Sequence, residues 1–281
     1  MSLAAFALAS AAWSSLVAQT PARLAAERAE YARWLADAPT SPFGALALQR
    51  IGKGVTVGEG GDVPVTGLPV QRVREQDGII RAEGAQGARV LRPGVPARIQ
   101  GFALLATGLP GKRMIAVFGP PRALPPPTHF PYQANLVDTV RLEPPASPGS
   151  VTLLASDGSE VVATEAGRVS VNVGGTPAGL TVRRLPGASA DESELEIYFR
   201  DSTNARGSYP AGRFVTLEPI GADRYVLDFN RARNPFCSYS SVFPCPAPWS
   251  GNSIAAEVRA GEMYVKGGQA GQVGQDGGRL E

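Results

Sequence analysis

The sequence predicts a mainly β fold, with two small β-sandwich-like regions, one N-terminal helix and a disordered glycine-rich tail. Three observations carry this expectation. Glycine (33) and proline (25) make up about a fifth of the 281 residues, too many for long helices to dominate and too few for low complexity. Apolar residues are 43%, enough to bury a core. Short apolar runs recur about every ten residues between Gly- and Pro-bearing turns, the spacing of sandwich strands.

The elements follow in order. Residues 1–20 form an apolar segment in which Leu16-Val17-Ala18 resembles an export cleavage site, but no Lys or Arg precedes Arg23. The basic start of a secretory signal is therefore missing, and the run is too short and Ser-rich for a membrane span. A soluble cytoplasmic chain is expected, with export through a weak signal as the alternative. Residues 21–37 read as a helix. Pro21 suits its first turn, and Leu24, Ala25, Arg28, Tyr31 and Leu35 recur at helical spacing. Glu27 and Tyr31 stand one turn apart, as do Glu30 and Trp34. The Asp37–Pro42 run stops the helix.

Residues 43–118 read as the first small sandwich. Its expected strands are Ala45–Leu48, Val55–Gly58, Val70–Arg74, Ile79–Ala82, Ala88–Leu91, Arg98–Leu105 and Arg113–Phe118, with hairpin signals such as Gln76-Asp77-Gly78 between them. Residues 119–134 form a Pro-rich strap or linker, because proline fixes φ and removes donors. Residues 135–266 read as a second β region. Its expected strands are Thr139–Glu143, Val151–Ala155, Glu160–Thr164, Arg168–Val173, Leu180–Leu185, Glu194–Phe199, Gly212–Glu218, Arg224–Phe229 and Ser253–Arg259. Val169, Val171 and Val173 share one face, as do Leu195, Ile197 and Phe199. Residues 267–281 hold almost no bulky apolar side chains and are expected to be disordered.

Several chemistries lack their residues. Lys+Arg number 27 and Asp+Glu 25, a formal net charge of +2, so no general field draws nucleic acid or an anionic membrane. Neither partner is expected, and no cofactor or metal. Cys237, Cys245 and His129 are the whole complement of Cys and His, and they lack standard zinc-ligand spacing. No GxSxG, Walker motif or GxGxxG is present. The cysteine pair is expected as a disulfide or packed thiols, with a metal site or a Cys nucleophile served by His129 as alternatives.

The densest polar chemistry lies in Tyr198–Trp249. Arg200 and Asp201 stand where one strand ends, and Asp228 and Asn230 lie two apart at the end of another. If those strand ends are adjacent, Arg200, Asp201, Arg213, Asp228 and Asn230 converge. Three readings fit such a cluster. It binds a small anionic ligand or a partner segment through its arginines. It uses Asp201 or Asp228 as the general base of a hydrolase or transferase. Or it is purely structural, an Arg–Asp–Asn lock closing one end of a sandwich. The binding reading is the one carried forward, with oligomeric state open.

The runs FRDSTNARGSYPAGRFVTLEP, YVLDFNRARNPFCSYSSVFPCPAPW and IAAEVRAGE resemble the signature of the bacterial and archaeal domain-of-unknown-function family sixteen eighty-four. The match falls on Phe199, Arg200, Asp201, Thr203, Tyr209, Ala211–Arg213, Asp228–Ala232, Asn234, Pro235, Cys237, Cys245, Pro246, Pro248 and Arg259–Glu262. The resemblance implies a shared polar site and no activity. With it, the candidate ligand-binding set becomes Arg200, Asp201, Thr203, Tyr209, Arg213, Asp228, Asn230, Arg231 and Asn234. Residues 43–118 are faintly similar to a forkhead-associated domain through the Gly58–Val65 turn, although the phosphate-binding Arg and Ser of such domains are missing.

Overall fold

The structure is a computed structural model describing residues 20–186 and 193–264. The expected apolar segment, apart from Thr20, and the glycine-rich tail lie outside the described residues. Helix α1 (Pro21–Asp37) forms where its spacing places it. The Thr20 hydroxyl accepts the Arg23 N–H at 3.2 Å, satisfying one of the helix's open donors. Pro21 occupies the first turn, and Pro39 follows the end. Leu35 is fully buried against Phe43 and Tyr239.

The strands of the first half are β1 (Ala45–Arg50), β2 (Val55–Val57), β3 (Gln71–Gln76), β4 (Ile79–Gly84), β5 (Gly87–Leu91), β6 (Ala97–Ile99), β7 (Phe102–Thr107) and β8 (Met114–Phe118). They form two antiparallel sheets, ordered β1-β8-β7-β6 and β2-β3-β4-β5. Val57, Val73 and Ile80 from one sheet and Leu104, Ile115 and Val117 from the other share one buried cluster, the packing of a sandwich. In the Gly58–Val65 turn, the Asp62 carboxylate accepts the Thr56 N–H at 2.9 Å and the Thr56 hydroxyl at 2.7 Å.

The second half holds β9 (Val137–Arg141), β10 (Ser150–Leu154), β11 (Glu160–Val173), β12 (Thr176–Pro186), β13 (Ser193–Asp201), β14 (Arg213–Thr216), β15 (Glu218–Pro219), β16 (Arg224–Asp228) and β17 (Ser253–Ile254). One sheet runs β10-β11-β12-β13-β14, with β17 parallel to β13; the other runs β15-β16-β9. Val169, Val171 and Val173 meet Ile197 and Phe199, with Val140 and Leu227 from the smaller sheet, in a single core. Among the described residues no helix is long and apolar enough to cross a membrane.

Five expected strands differ from those observed. Arg98–Leu105 is a hairpin, because Gln100 takes a left-handed φ of 52° beside Gly101 and reverses the chain between β6 and β7. Glu160–Thr164 and Arg168–Val173 are one strand, β11, with a register shift between Glu165 and Gly167. The shift lets the strand bend without ending. Gly167 has φ +148° there, and a Cβ would stand 2.2 Å from the Glu143 carbonyl oxygen, which only glycine allows. Gly212–Glu218 splits at Leu217, with β14 in the larger sheet and β15 in the smaller. Of Ser253–Arg259, only Ser253–Ile254 is strand; the remainder spends its carbonyls elsewhere.

The Pro-rich segment is a strap whose end is tied to the rest of the chain. The Phe130 N–H donates to the Gly261 carbonyl at 3.0 Å, and the Met263 N–H to the Thr128 carbonyl at 2.9 Å.

Candidate functional site

The expected cluster divides between two closed knots and the wall of an open cavity. The first knot centres on Arg213, which is fully buried. Its Nη2 donates to Asp201 Oδ2 at 2.6 Å and to the Val258 carbonyl at 2.9 Å. Its Nη1 donates to the carbonyls of Ala260 and Glu262. The ring of Phe199 flanks the guanidinium at 5.4 Å. Burial works against this charge, and Asp201 is the first group opposing that effect. The other Asp201 oxygen accepts the Thr203 N–H and hydroxyl, both at 2.5 Å. The Thr203 and Ser208 hydroxyls lie 2.8 Å apart. Gly261 makes the approach possible: its φ is +74°, and a Cβ would stand 2.6 Å from the Ala232 carbonyl oxygen.

The second knot centres on Asp228. One carboxylate oxygen accepts the Asn230 N–H at 2.9 Å and the Asn230 amide at 2.8 Å. The other is enclosed without a partner. Burial raises its pKa above the usual carboxylate value, against the Asn230 hydrogen bonds. Asn230 also exchanges two hydrogen bonds with the Gln133 backbone, at 2.8 and 2.9 Å, which fastens the strap to the β16 end. Arg28 of α1 donates to the Asn230 carbonyl at 2.9 Å.

Arg200 stands apart. It is exposed on the face of β13 opposite Asp201, as strand alternation requires. Tyr209 packs edge-on against Tyr264 and places its hydroxyl 3.3 and 3.1 Å from the sulfurs of Cys237 and Cys245. Those cysteines form a disulfide with their Cα atoms 5.4 Å apart. His129 is held neutral: burial first, then the charges of Arg28 and Arg233, push its pKa down to about 4. Among the described residues no group of three or more His, Cys, Asp or Glu is placed to hold a metal.

Arg231 and Asn234 line a cavity of about 700 Å³ between α1 and the β13–β14 edge. Helix spacing brings Glu27, Glu30, Tyr31 and Trp34 to one wall. The opposite wall presents Glu194 and Glu196 from β13 and Phe214 from β14, and the loop after β16 adds Arg233 and Phe236. Arg231 is paired twice, with Glu27 at 2.7 Å and with Glu218. Arg233 lays its guanidinium 4.4 Å over the Tyr31 ring. Behind this wall lies fully buried Glu262, which accepts the Asn234 N–H at 2.8 Å and the Tyr239 hydroxyl at 2.5 Å. Burial raises the Glu262 pKa and lifts Tyr239 well above the ordinary phenol.

Glu196 is the unusual member. Its Oε2 is enclosed and has no hydrogen-bond partner. Burial first, then Glu194 and Asp157, push its carboxyl from 4.5 up to about 8, with Arg233 acting the other way. The residue pattern does not single it out: Glu196 alternates with Leu195 and Ile197, which marks it as an outward strand residue. Its enclosure depends on segments distant in sequence, with the β10–β11 turn, the loop after β16 and α1 all lining the same cavity. The Glu27/Tyr31 and Glu30/Trp34 spacings marked only a helix; that this face lines a cavity was not legible in them.

The molecule is thus a mainly β chain with one helix lying across a cavity beside the β13–β14 edge. More particularly, the chain belongs to the family described as protein of unknown function (DUF1684), whose model matches residues 127–263. It is similar to an uncharacterized protein of Haloarcula marismortui solved by solution NMR. That protein is 33% identical, and the match covers 50% of this chain and 81% of the archaeal one, with a TM-score of 0.43. No curated protein matches the chain.

Proposed function

We propose that this protein binds a small organic molecule in the cavity between α1 and the β13–β14 edge. The observation that carries the reading is the cavity itself. Its volume of about 700 Å³ is that of an ordinary ligand pocket, and it combines aromatic walls with a few convergent polar groups. The expectation of an anionic ligand at the Arg/Asp/Asn cluster shifts accordingly. Arg231 and Asn234 contribute to the cavity wall, while Arg213, Asp201, Asp228 and Asn230 hold the loops behind it. The enclosed Arg213–Asp201 pair, with both Arg213 terminal nitrogens donating to buried oxygens, supports a scaffolding role for that pair. Catalysis through Asp201 or Asp228 loses support, because neither lines this cavity. The near-neutral charge balance supports the absence of a nucleic-acid partner. The disulfide supports export over a cytoplasmic location, since such bonds persist in oxidising compartments.

A thermal-shift screen of amines, carboxylates, phosphates and neutral aromatics tests the reading. At least one class is expected to raise the melting temperature. Thr216→Trp, which fills the cavity from β14, is expected to abolish that rise and leave unliganded melting unchanged. A screen without a hit, or hits that act equally on Thr216→Trp, refutes the proposal.

A further inference from the structure

We infer that the ligand of this cavity is an organic cation, an ammonium group carried on an apolar body, with the ammonium seated at Glu196 and the body lying on Trp34 and Phe236. The inference rests on the binding reading above and adds the chemical class to it.

Four observations lead there. Glu196 lines the cavity, and its Oε2 is enclosed with nothing donating to it. A buried carboxyl oxygen left unpaired is costly, and an N–H donor arriving in the cavity relieves that cost. The charge around it is negative once internal pairs are set aside. Glu27 and Glu218 are matched by Arg23 and Arg231. Glu30 and Glu194 are exposed cavity residues and enter no salt bridge among the described residues. Among the described residues lining the cavity, Glu30 and Glu194 face Arg233, itself engaged over the Tyr31 ring, while Arg183, opposite Glu196 on β12, is engaged over the Trp249 ring.

The aromatic surface is the third observation. Tyr31 and Trp34 stack with centroids 5.8 Å apart, and Trp34 meets Phe236 at 5.9 Å. Such faces attract cations and cover apolar bodies. An anion entering here would meet unpaired carboxylates instead. The fourth is protonation. The Glu196 carboxyl titrates near 8, so below that pH an incoming ammonium must displace its proton. The charged groups facing it are Glu194 on its own strand, Arg183 opposite it on β12, Asp157 from the β10–β11 turn and Arg233 from the loop after β16. Glu27 and Glu30 look on from α1 across the cavity, with Arg231 from the loop beside Arg233. Binding therefore releases protons.

The experiment titrates the full chain with phenethylamine, phenethyl alcohol and phenylpropionate, following Trp34 fluorescence, with Trp34→Phe as the control that locates the signal. The amine is expected to saturate and to bind at least about tenfold more tightly than either analogue. Its affinity should rise as pH goes from about 6 to about 8, with proton release seen by calorimetry in buffers of different ionisation enthalpy. Glu196→Gln should weaken the amine about tenfold, remove the proton release and spare the alcohol. If the alcohol or phenylpropionate binds as tightly as the amine, or Glu196→Gln leaves the amine unchanged, the cation assignment is overturned while binding in the cavity stands. If none of the three saturates, the cation assignment falls, and the thermal-shift screen decides whether binding in the cavity stands.

Discussion

Replacing Asp201 by Asn keeps the shape of the Arg213 knot and removes one charge. The Asn carbonyl still accepts from Thr203. Its amide, however, turns two donors toward Arg213 Nη2, which donates to Asp201 at 2.6 Å in the native protein. The pair is fully enclosed, with both side chains 0% exposed, so no water takes over. Breaking a buried pair by removing one partner costs about 3–5 kcal/mol. Three carbonyls, of Val258, Ala260 and Glu262, still face the guanidinium, which places the expected loss near the lower end, about 3 kcal/mol. For a chain of this size that lowers the melting temperature by roughly 6–12 °C. Urea unfolding followed by far-UV circular dichroism reads the loss as a lower midpoint at unchanged slope. Arg213→Met should cost more, because it leaves both the Asp201 charge and the three carbonyls unpaired. Arg200→Ala, one residue away on the exposed face, should stay within about 0.5 kcal/mol of the native protein. An Asp201→Asn protein within about 1 kcal/mol of native stability refutes the reasoning that this ion pair locks the knot.

Three further outcomes are expected. Gly261→Ala should destabilise by about 2 kcal/mol or more, because its φ of +74° and a Cβ 2.6 Å from the Ala232 oxygen add strain to overlap; thermal melting measures it. Reducing the Cys237–Cys245 bond, whose members are 8 residues apart, should cost about 2.5 kcal/mol of loop-closure entropy and lower melting by about 5–10 °C. Scans with and without a phosphine reductant report this. Glu196 holds its proton more tightly when folded, so its contribution is fully present below pH 4.5 and is lost as pH rises through about 8. Stability should therefore fall by about 3 kcal/mol over that window relative to Glu196→Gln. Parallel slopes for the two proteins in urea unfolding against pH would dismiss this expectation.

The element types and most strand positions were legible because they depend on local chemistry. Alternation at Val169, Val171 and Val173 needs only a two-residue period, and the α1 start needs only Thr20 and Pro21. The errors came where local signals are degenerate. A Gln100-Gly101 reversal inside an apolar run reads as continuous strand, and a bulge around Ala166 reads as a turn. The site was legible in part. The residue types that make the knots were visible in Tyr198–Trp249, but which of them are enclosed was not, because enclosure depends on segments distant in sequence. Arg213 finds its carbonyls in Val258–Glu262, and Asn230 finds Gln133 in the strap.

The order of strands, the helix and the poverty of metal and thiol chemistry are properties of the sequence by itself, since periodicity, turn residues and residue counts determine them. The cavity is a tertiary product. Glu27, Glu30, Tyr31 and Trp34 lie more than a hundred residues from Glu194, Glu196, Phe214 and Arg233. Folding α1, the β10–β11 turn and the loop after β16 around the β13–β14 edge turns an ordinary outward glutamate into an enclosed acceptor. Burial and the charges brought beside Glu196 change its chemistry, and neither exists until the two walls meet.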